Sequence, residues 1–359
     1  MKKAIFFLSL LLVAVVGTSA QEKRFSAYGV GFYNLENLFD TCHDVGKNDY
    51  QFLPDGQNRW TGLKYTHKLR NMARVLAEMG TDKGPLRQIG CAVIGVSEVE
   101  NAKCLTDLCD QEPLKARNFQ FVHIEGPDQR GVDCALLYNP KLFTVRDAKL
   151  VPYVYVKPED SLRATRGFLT VSGTMAGEHV TIIVNHLPSR FSGDFYREEG
   201  GRQIRLVKDS LLRDDPNVKI FIMGDMNDDP QDKSMAEALG AKRRVKDVED
   251  DGLWNPWWDV LASGTGTLQY DGKWNLFDQI ILSRSLLDVK SMKKNHKPDP
   301  RTMDCSTLRY WDHQIFTRDY LFQEEGRYKG NTLRTHAGGV WLDGYSDHLP
   351  TVVYLIKSF

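Results

Sequence analysis

The stretch Val218-Lys219-Ile220-Phe221-Ile222-Met223-Gly224-Asp225-Met226-Asn227-Asp228-Asp229-Pro230 passes from β-branched and aromatic residues straight into a cluster of acids and an amide. Its apolar half reads as a strand, and Asp228-Asp229-Pro230 as the turn that leads into a helix. Taken alone, Asp and Asn at a strand end commonly cap a helix or close a turn. The arrangement recurs, however, in Tyr33-Asn34-Leu35-Glu36-Asn37, Gly95-Val96-Ser97-Glu98-Val99-Glu100-Asn101, Val184-Asn185-His186 and Gly344-Tyr345-Ser346-Asp347-His348-Leu349-Pro350. A further segment, Asn275-Leu276-Phe277-Asp278-Gln279-Ile280, sets an acid inside a strand, where a carboxylate is costly unless paired. Polar groups at strand ends are where a scaffold presents a site. Their repetition points to one shared site rather than to separate turns.

Working outward, ten apolar runs read as strands: 27–33, 91–96, 119–124, 132–138, 150–156, 168–173, 179–185, 218–223, 276–282 and 351–356. Helical periodicity is rarer. It marks residues 63–79, with Leu69, Met72, Ala73, Leu76 and Met79 on one face, residues 196–212, with Ile204, Val207 and Leu211, and residues 231–239. Strands outnumber helices without strict βαβ alternation, which favours α+β layering over a doubly wound sheet. No Pro/Gly/Ser-rich linker divides the chain, and the polar clusters span Asn34 to His348, so residues 21–359 are expected to form one domain. Residues 284–345, rich in charges and aromatics and weak in periodicity, read as a long excursion between the last strands.

The balance of 47 basic and 47 acidic residues excludes a protein that coats nucleic acid by bulk charge. Met1-Lys2-Lys3, an apolar run over residues 4–16 and Gly17-Thr18-Ser19-Ala20 form an export signal with a small-residue cleavage site. The run is too short to span a bilayer, which takes about 20 residues. Export to the periplasm or the exterior is therefore expected, with no membrane span. Cleavage takes Lys2 and Lys3 from the 47 basic residues and nothing from the 47 acids, leaving a net charge near −2. Cys42, Cys91, Cys104, Cys109, Cys134 and Cys305 would then meet an oxidising compartment, their pairing left open by sequence; Cys91 and Cys134, within apolar runs, equally suit buried thiols.

The polar clusters combine several carboxylates, two amides and two imidazoles. Hard oxygen donors without a cysteine or histidine triad suit Mg²⁺, Mn²⁺ or Ca²⁺ rather than zinc. A divalent ion, a histidine backed by an acid, and amide donors are what cleavage of a phosphate ester requires.

In these motifs and in their order, the chain resembles the endonuclease/exonuclease/phosphatase family. That metal-dependent group contains pancreatic-type deoxyribonucleases, abasic-site endonucleases, neutral sphingomyelinases and inositol polyphosphate 5-phosphatases. Gly224-Asp225-Met226-Asn227 with a distal Ser346-Asp347-His348 is the most specific part of the likeness. The resemblance implies an α+β fold, a four-layer α/β sandwich of two mostly antiparallel sheets with helices outside. It implies Glu98 as principal metal ligand, with Glu36 and Asp347 near the ion and Asn34 near the ion or phosphate. By the same likeness His348 is a general base oriented by Asp278, Asp225 and Asn227 position water and phosphate, and His186 contacts the phosphate or assists the leaving group.

One part of the family pattern has no obvious counterpart. The acid that backs the central histidine in the deoxyribonuclease branch is Asp128, Asp133 or absent, while Arg130 is a candidate phosphate contact or a surface turn residue. Glu100, beside the motif, is expected in a supporting or surface position. The expected substrate is a phosphate ester, DNA or RNA first, with a phosphomonoester or a sphingomyelinase-like substrate as the alternative; a monomer is expected. Basic clusters at residues 242–246 and 293–297 are candidate backbone contacts, more often solvated faces. Trp254, Trp257, Trp258 and Trp274 are candidates for an amphiphile surface, more often packing.

Overall fold

β-branched and aromatic runs make the core of the molecule sheet rather than helix. The computed structural model describes residues 24–155, 165–292 and 297–359. The stretch read as an export signal, residues 1–20, and most of the 293–297 cluster lie outside the described residues. One six-stranded sheet has the order Arg309–Ile315, Thr351–Ser358, Phe25–Leu38, Cys91–Val99, Asp133–Tyr138, Gln120–His123. A seven-stranded sheet has the order Phe143–Val151, Phe168–Met175, Glu178–His186, Lys219–Asp225, Asp278–Ser283, Leu253–Trp254, Ala241–Lys242.

The two sheets pack face to face. Alternate residues of the strands point inward, so Phe32, Val93, Leu136, Val171, Ile182, Phe221, Ile280 and Val353 interleave, all fully buried. Each contributes about 1.5–3 kcal/mol through loss of apolar surface to water. The helix Gly62–Glu78 covers the outer face of the first sheet with the stripe Leu69, Met72, Ala73 and Leu76. The helix Asp194–Asp214 covers the second with Ile204, and Val207 and Leu211 pack beside it. The result is the four-layer α/β sandwich, an α+β fold, with most neighbouring strands antiparallel.

Local readings failed where polarity masked structure. The strand expected over residues 150–156 lies instead at Phe143–Val151, where a register shift between Val145 and Asp147 and exposed Arg146, Asp147 and Lys149 break the apolar run of an edge strand. Pro152, which lacks an N–H, follows its end. The excursion contains another edge strand, Arg309–Ile315, where a register shift between Tyr310 and Asp312 breaks the alternation and the buried Asp312 is paired with Lys83 and Lys297. Only a single π-type turn, Ser234–Leu239, forms in the region read as a helix over residues 231–239. A helix absent from the sequence reading, Ala102–Cys109, begins where Asn101 Oδ1 accepts from the Cys104 N–H at 3.0 Å.

None of the six cysteines is in a disulfide, and Cys91, Cys104, Cys134 and Cys305 are buried thiols. Among the described residues no helix is long and apolar enough to cross a membrane.

Candidate active site

Each sheet holds one long parallel pair at its centre, and the motifs sit at the C-terminal ends of those pairs. In the first sheet Asn34 lies beside Ser97 in register. In the second, His186 lies beside Asp225, and Asp225 beside Asp278 on the next strand. Residues far apart in sequence are therefore neighbours before any side chain is considered. Gly224 is required for that closeness: a Cβ there would stand 2.1 Å from the Asn185 carbonyl oxygen.

The strand ends depart from regular geometry where the motifs begin. Pairing shifts register between Asn34 and Leu38 and between Ser97 and Val99. Glu36 (φ 49°), Asn37 (φ 57°), Glu98 (φ 61°) and Asn227 (φ 51°) all adopt left-handed backbone, costly for residues with a Cβ. Such bulges re-aim side chains that a straight strand would send into the core.

Two histidines meet one aspartate. His348 Nδ1 donates to Asp278 Oδ2 at 2.7 Å, and its Nε2 stands 3.8 Å from Asp225 Oδ2. His186 Nε2 stands 3.6 Å from the same Asp225 oxygen and 3.8 Å from Glu98 Oε1. Their proton affinities diverge. Burial works against a charge on His348, but Asp278, Asp225 and Asp347 outweigh it and hold the imidazole well above the usual histidine range. Burial, then Arg166, Arg130 and His348, hold His186 well below that range. Burial, with Asp278 adding, pushes Asp225 up to about 7 despite the opposing charge of His348.

Several predicted residues support the site rather than face it. Asn34 is fully buried; its Nδ2 donates to Asp225 Oδ2 at 3.0 Å, so it holds the aspartate instead of reaching substrate. Asp278 is equally buried and acts through His348. Glu36, expected beside the ion, has both oxygens engaged, Oε1 by Arg334 Nε at 3.1 Å and Oε2 by the Thr335 N–H at 2.7 Å. Its left-handed backbone directs it to the 332–335 loop, and it does not line the cleft. Burial, with Asp347 adding, pushes it up to about 7.

Two cations missed in the sequence offset these acids. Arg334 Nη2 also donates to Asp347 Oδ2 at 2.7 Å, and Lys68, buried on the Gly62–Glu78 helix, donates to Thr335 Oγ1 and the Tyr345 carbonyl. Lys68 breaks the apolar stripe of its helix and was legible as an anomaly; Arg334 sits in a loop without any pattern.

Glu98, Asp225, Asn227, Asp347, His186 and His348 line an open cleft of about 580 Å³, with Arg130, Arg166 and Asp128 at its rim. The Asn227 N–H donates to Asp225 Oδ1 at 2.9 Å and its Nδ2 to the Leu187 carbonyl at 3.0 Å. Glu98 Oε2 accepts the Asn37 N–H at 3.0 Å, while Oε1 faces the cleft side of His186. Glu98 and Asp347 thus offer hard oxygen to a divalent ion of the Mg²⁺ class, and the donor set fits one.

Neither candidate acid backs His186. Asp128 accepts from Arg166 Nη1 at 2.8 Å, Asp133 accepts from His123 and the Gly126 N–H, and His186 Nδ1 is without a partner among the described residues. Arg166, unnoticed in the sequence, also donates to the His186 carbonyl at 3.1 Å and so fixes the backbone instead. Glu100 is fully buried rather than at the surface. In the 242–246 cluster Arg243 and Arg244 pair with Asp259 and Asp247. Trp254 and Trp257 pack between the sheets, which removes them from any amphiphile surface.

Residues 29–357 match the profile of the Endonuclease/Exonuclease/phosphatase family. The chain belongs to that family. Among solved structures it is similar to an endonuclease/exonuclease/phosphatase family protein from Bacteroides thetaiotaomicron, 15% identical with a TM-score of 0.55, covering 93% of this chain and 96% of that one. A mannosyl-6-phosphatase of the same organism is 16% identical with a TM-score of 0.53, covering 91% and 99%. TDP2 of D. rerio, solved with a single-strand DNA product, is 13% identical with a TM-score of 0.51, covering 92% and 99%. These likenesses establish the fold. No curated protein matches the chain.

Proposed function

We propose that the chain is an exported, divalent-metal-dependent phosphoesterase that hydrolyses phosphodiester bonds, with nucleic acid as the substrate, acting as a monomer through one domain spanning residues 21–359. The observation that carries this reading is the His348–Asp278 pair facing Asp225 across the same open cleft as Glu98 and Asp347. Export rests on the N-terminal signal pattern, and the one-domain reading on the core shared by both sheets.

In this reading His348 takes the proton of the attacking water at Nε2, and Asp278 positions the ring through Nδ1. Asp225 and Asn227 orient the water and phosphate. His186 stays neutral; acceptors surround its Nε2, so the proton sits there and is donated to a phosphate or leaving-group oxygen. An ion held by Glu98 and Asp347 supplies positive charge, offsetting the carboxylates that hold a proton on His348 and the charge on the phosphate oxygens. Arg130, half-exposed at the rim, contacts a non-bridging oxygen.

A phosphomonoester is the second reading, supported by the mannosyl-6-phosphatase among the structural neighbours. The test assays the purified protein with Mg²⁺ or Mn²⁺ on plasmid DNA, RNA, a small diester and a monoester, with EDTA and His348→Ala controls. Nucleic-acid cleavage lost in both controls is expected. Inactivity on every substrate, or turnover indifferent to the controls, overturns the enzymatic reading; activity on the monoester alone replaces the first reading by the second.

A further inference from the structure

A second group of acids, none of them lining the cleft, is one that the proposed chemistry does not use. Asp40, Glu100 and Cys104 each bring one donor atom within 4.8 Å of the others, and all three residues are buried. Glu100 Oε2 accepts the Asp40 N–H at 2.7 Å and the Cys104 thiol at 3.7 Å. Asp40 Oδ1 accepts the Cys42 N–H at 2.6 Å. Glu100 Oε1, on a residue only 1% exposed, has no hydrogen-bond partner among the described residues.

No lysine, arginine or histidine among the described residues comes within salt-bridge distance of Asp40 or Glu100. The nearby Asp49 is already taken by His43 Nδ1 at 2.5 Å. A buried carboxylate oxygen without a partner is costly unless a proton or a cation meets it. The donor chemistry names the partner. A thiol and two carboxylates converging on one buried point match a borderline-soft divalent cation, not a lysine or a hard ion alone.

We infer that Asp40, Glu100 and Cys104 form a second cation site, for a divalent ion of the zinc type, separate from the cleft. Its place in the chain gives it a structural task. Asp40 follows the Glu36–Asn37 bulge, Glu100 lies two positions after Glu98, and the Glu100 N–H already donates to the Leu38 carbonyl at 3.0 Å. Cys104 rides the helix that Asn101 caps. An ion there bolts the two segments carrying the strained motif residues to that helix.

Metal-free full-length protein titrated with Co²⁺ reports thiolate ligation through the thiolate-to-cobalt charge-transfer band in the near ultraviolet. The wild type and Glu98→Gln, which empties the cleft of its open carboxylate, are expected to show the band and lose it to added Zn²⁺. Cys104→Ser and Glu100→Gln are expected to lack it, and zinc is expected to raise the melting temperature of the wild type but not of Glu100→Gln. No band in the wild type, or a band retained in Cys104→Ser, overturns the site. Should Cys104→Ser not fold, the band retained in the near-isosteric Glu100→Gln overturns it equally.

Discussion

His348 and His186 are both buried, both present Nε2 to the same Asp225 oxygen, and end with opposite proton affinities. The difference lies at the other ring nitrogen and in the surrounding charges. His348 Nδ1 meets Asp278 with two further acids nearby; His186 Nδ1 meets nothing among the described residues, and two guanidiniums lie close. Burial alone lowers the affinity of both. It wins at His186, where no carboxylate accepts from Nδ1, and loses at His348. One fold thus sets an imidazole that holds its proton beside one that stays neutral.

The contrast can be broken by substitution. His348→Ala is expected to cost ~10³–10⁴-fold in kcat, as for loss of a general base. Asp278→Asn is expected to cost ~10²–10³-fold and to lower the His348 proton affinity, which an NMR titration of the ring reads directly; an unmoved titration would remove Asp278 from its positioning role. His186→Ala is expected to cost ~10–10²-fold without moving the acid limb of the pH–rate profile. Arg130→Ala is expected to raise KM ~10-fold with kcat nearly unchanged, since it contacts phosphate at a half-exposed rim.

The smallest effects are thermal. In metal-free protein Glu36 and Asp225 keep their protons up to about pH 7, whereas their unfolded values are 4.5 and 3.8. The folded state therefore binds more protons across that window, and stability falls as pH rises through it. His348 extends the fall above its unfolded value of 6.5, because its folded affinity is raised. His186 opposes the fall below 6.5, because the unfolded state binds a proton that the folded ring refuses. Melting curves from about pH 5 to pH 8 are expected to decline, His348→Ala flattening the upper half and His186→Ala steepening the lower, by ~2–4 °C each. The same slope in all three proteins would refute the assigned charge states.

Strand placement was legible wherever one face or both were buried, as at residues 218–223 and 351–356, because burial selects β-branched and aromatic side chains. The edge strand Arg309–Ile315 hid, since its register shift sets Asp312, His313 and Gln314 in succession and the ion pairs that satisfy Asp312 come from distant lysines. The cleft residues Glu98, Asp225, Asn227, His186, Asp347 and His348 were legible because their motifs flank strand ends, Asp347 and His348 just before Thr351–Ser358 and the others at C-terminal ends. Arg334 and Arg166 were not, and Lys68 only as a break in its helix's apolar stripe, because each gains its significance from partners that are distant in sequence, Glu36 lying 298 positions from Arg334.

By itself the amino-acid order determined the sheets, their inward and outward faces and the set of polar side chains delivered to one end of the sandwich. Local chemistry suffices for that, since period and turn residues act over a few positions. Tertiary structure alone decided which histidine holds a proton, that Asn34 serves Asp225, that Glu36 turns to Arg334 and that Glu100 is enclosed with Asp40 and Cys104. Proton affinity depends on the loss of water and on charges within a few ångströms, and only the packing of separate strands sets either.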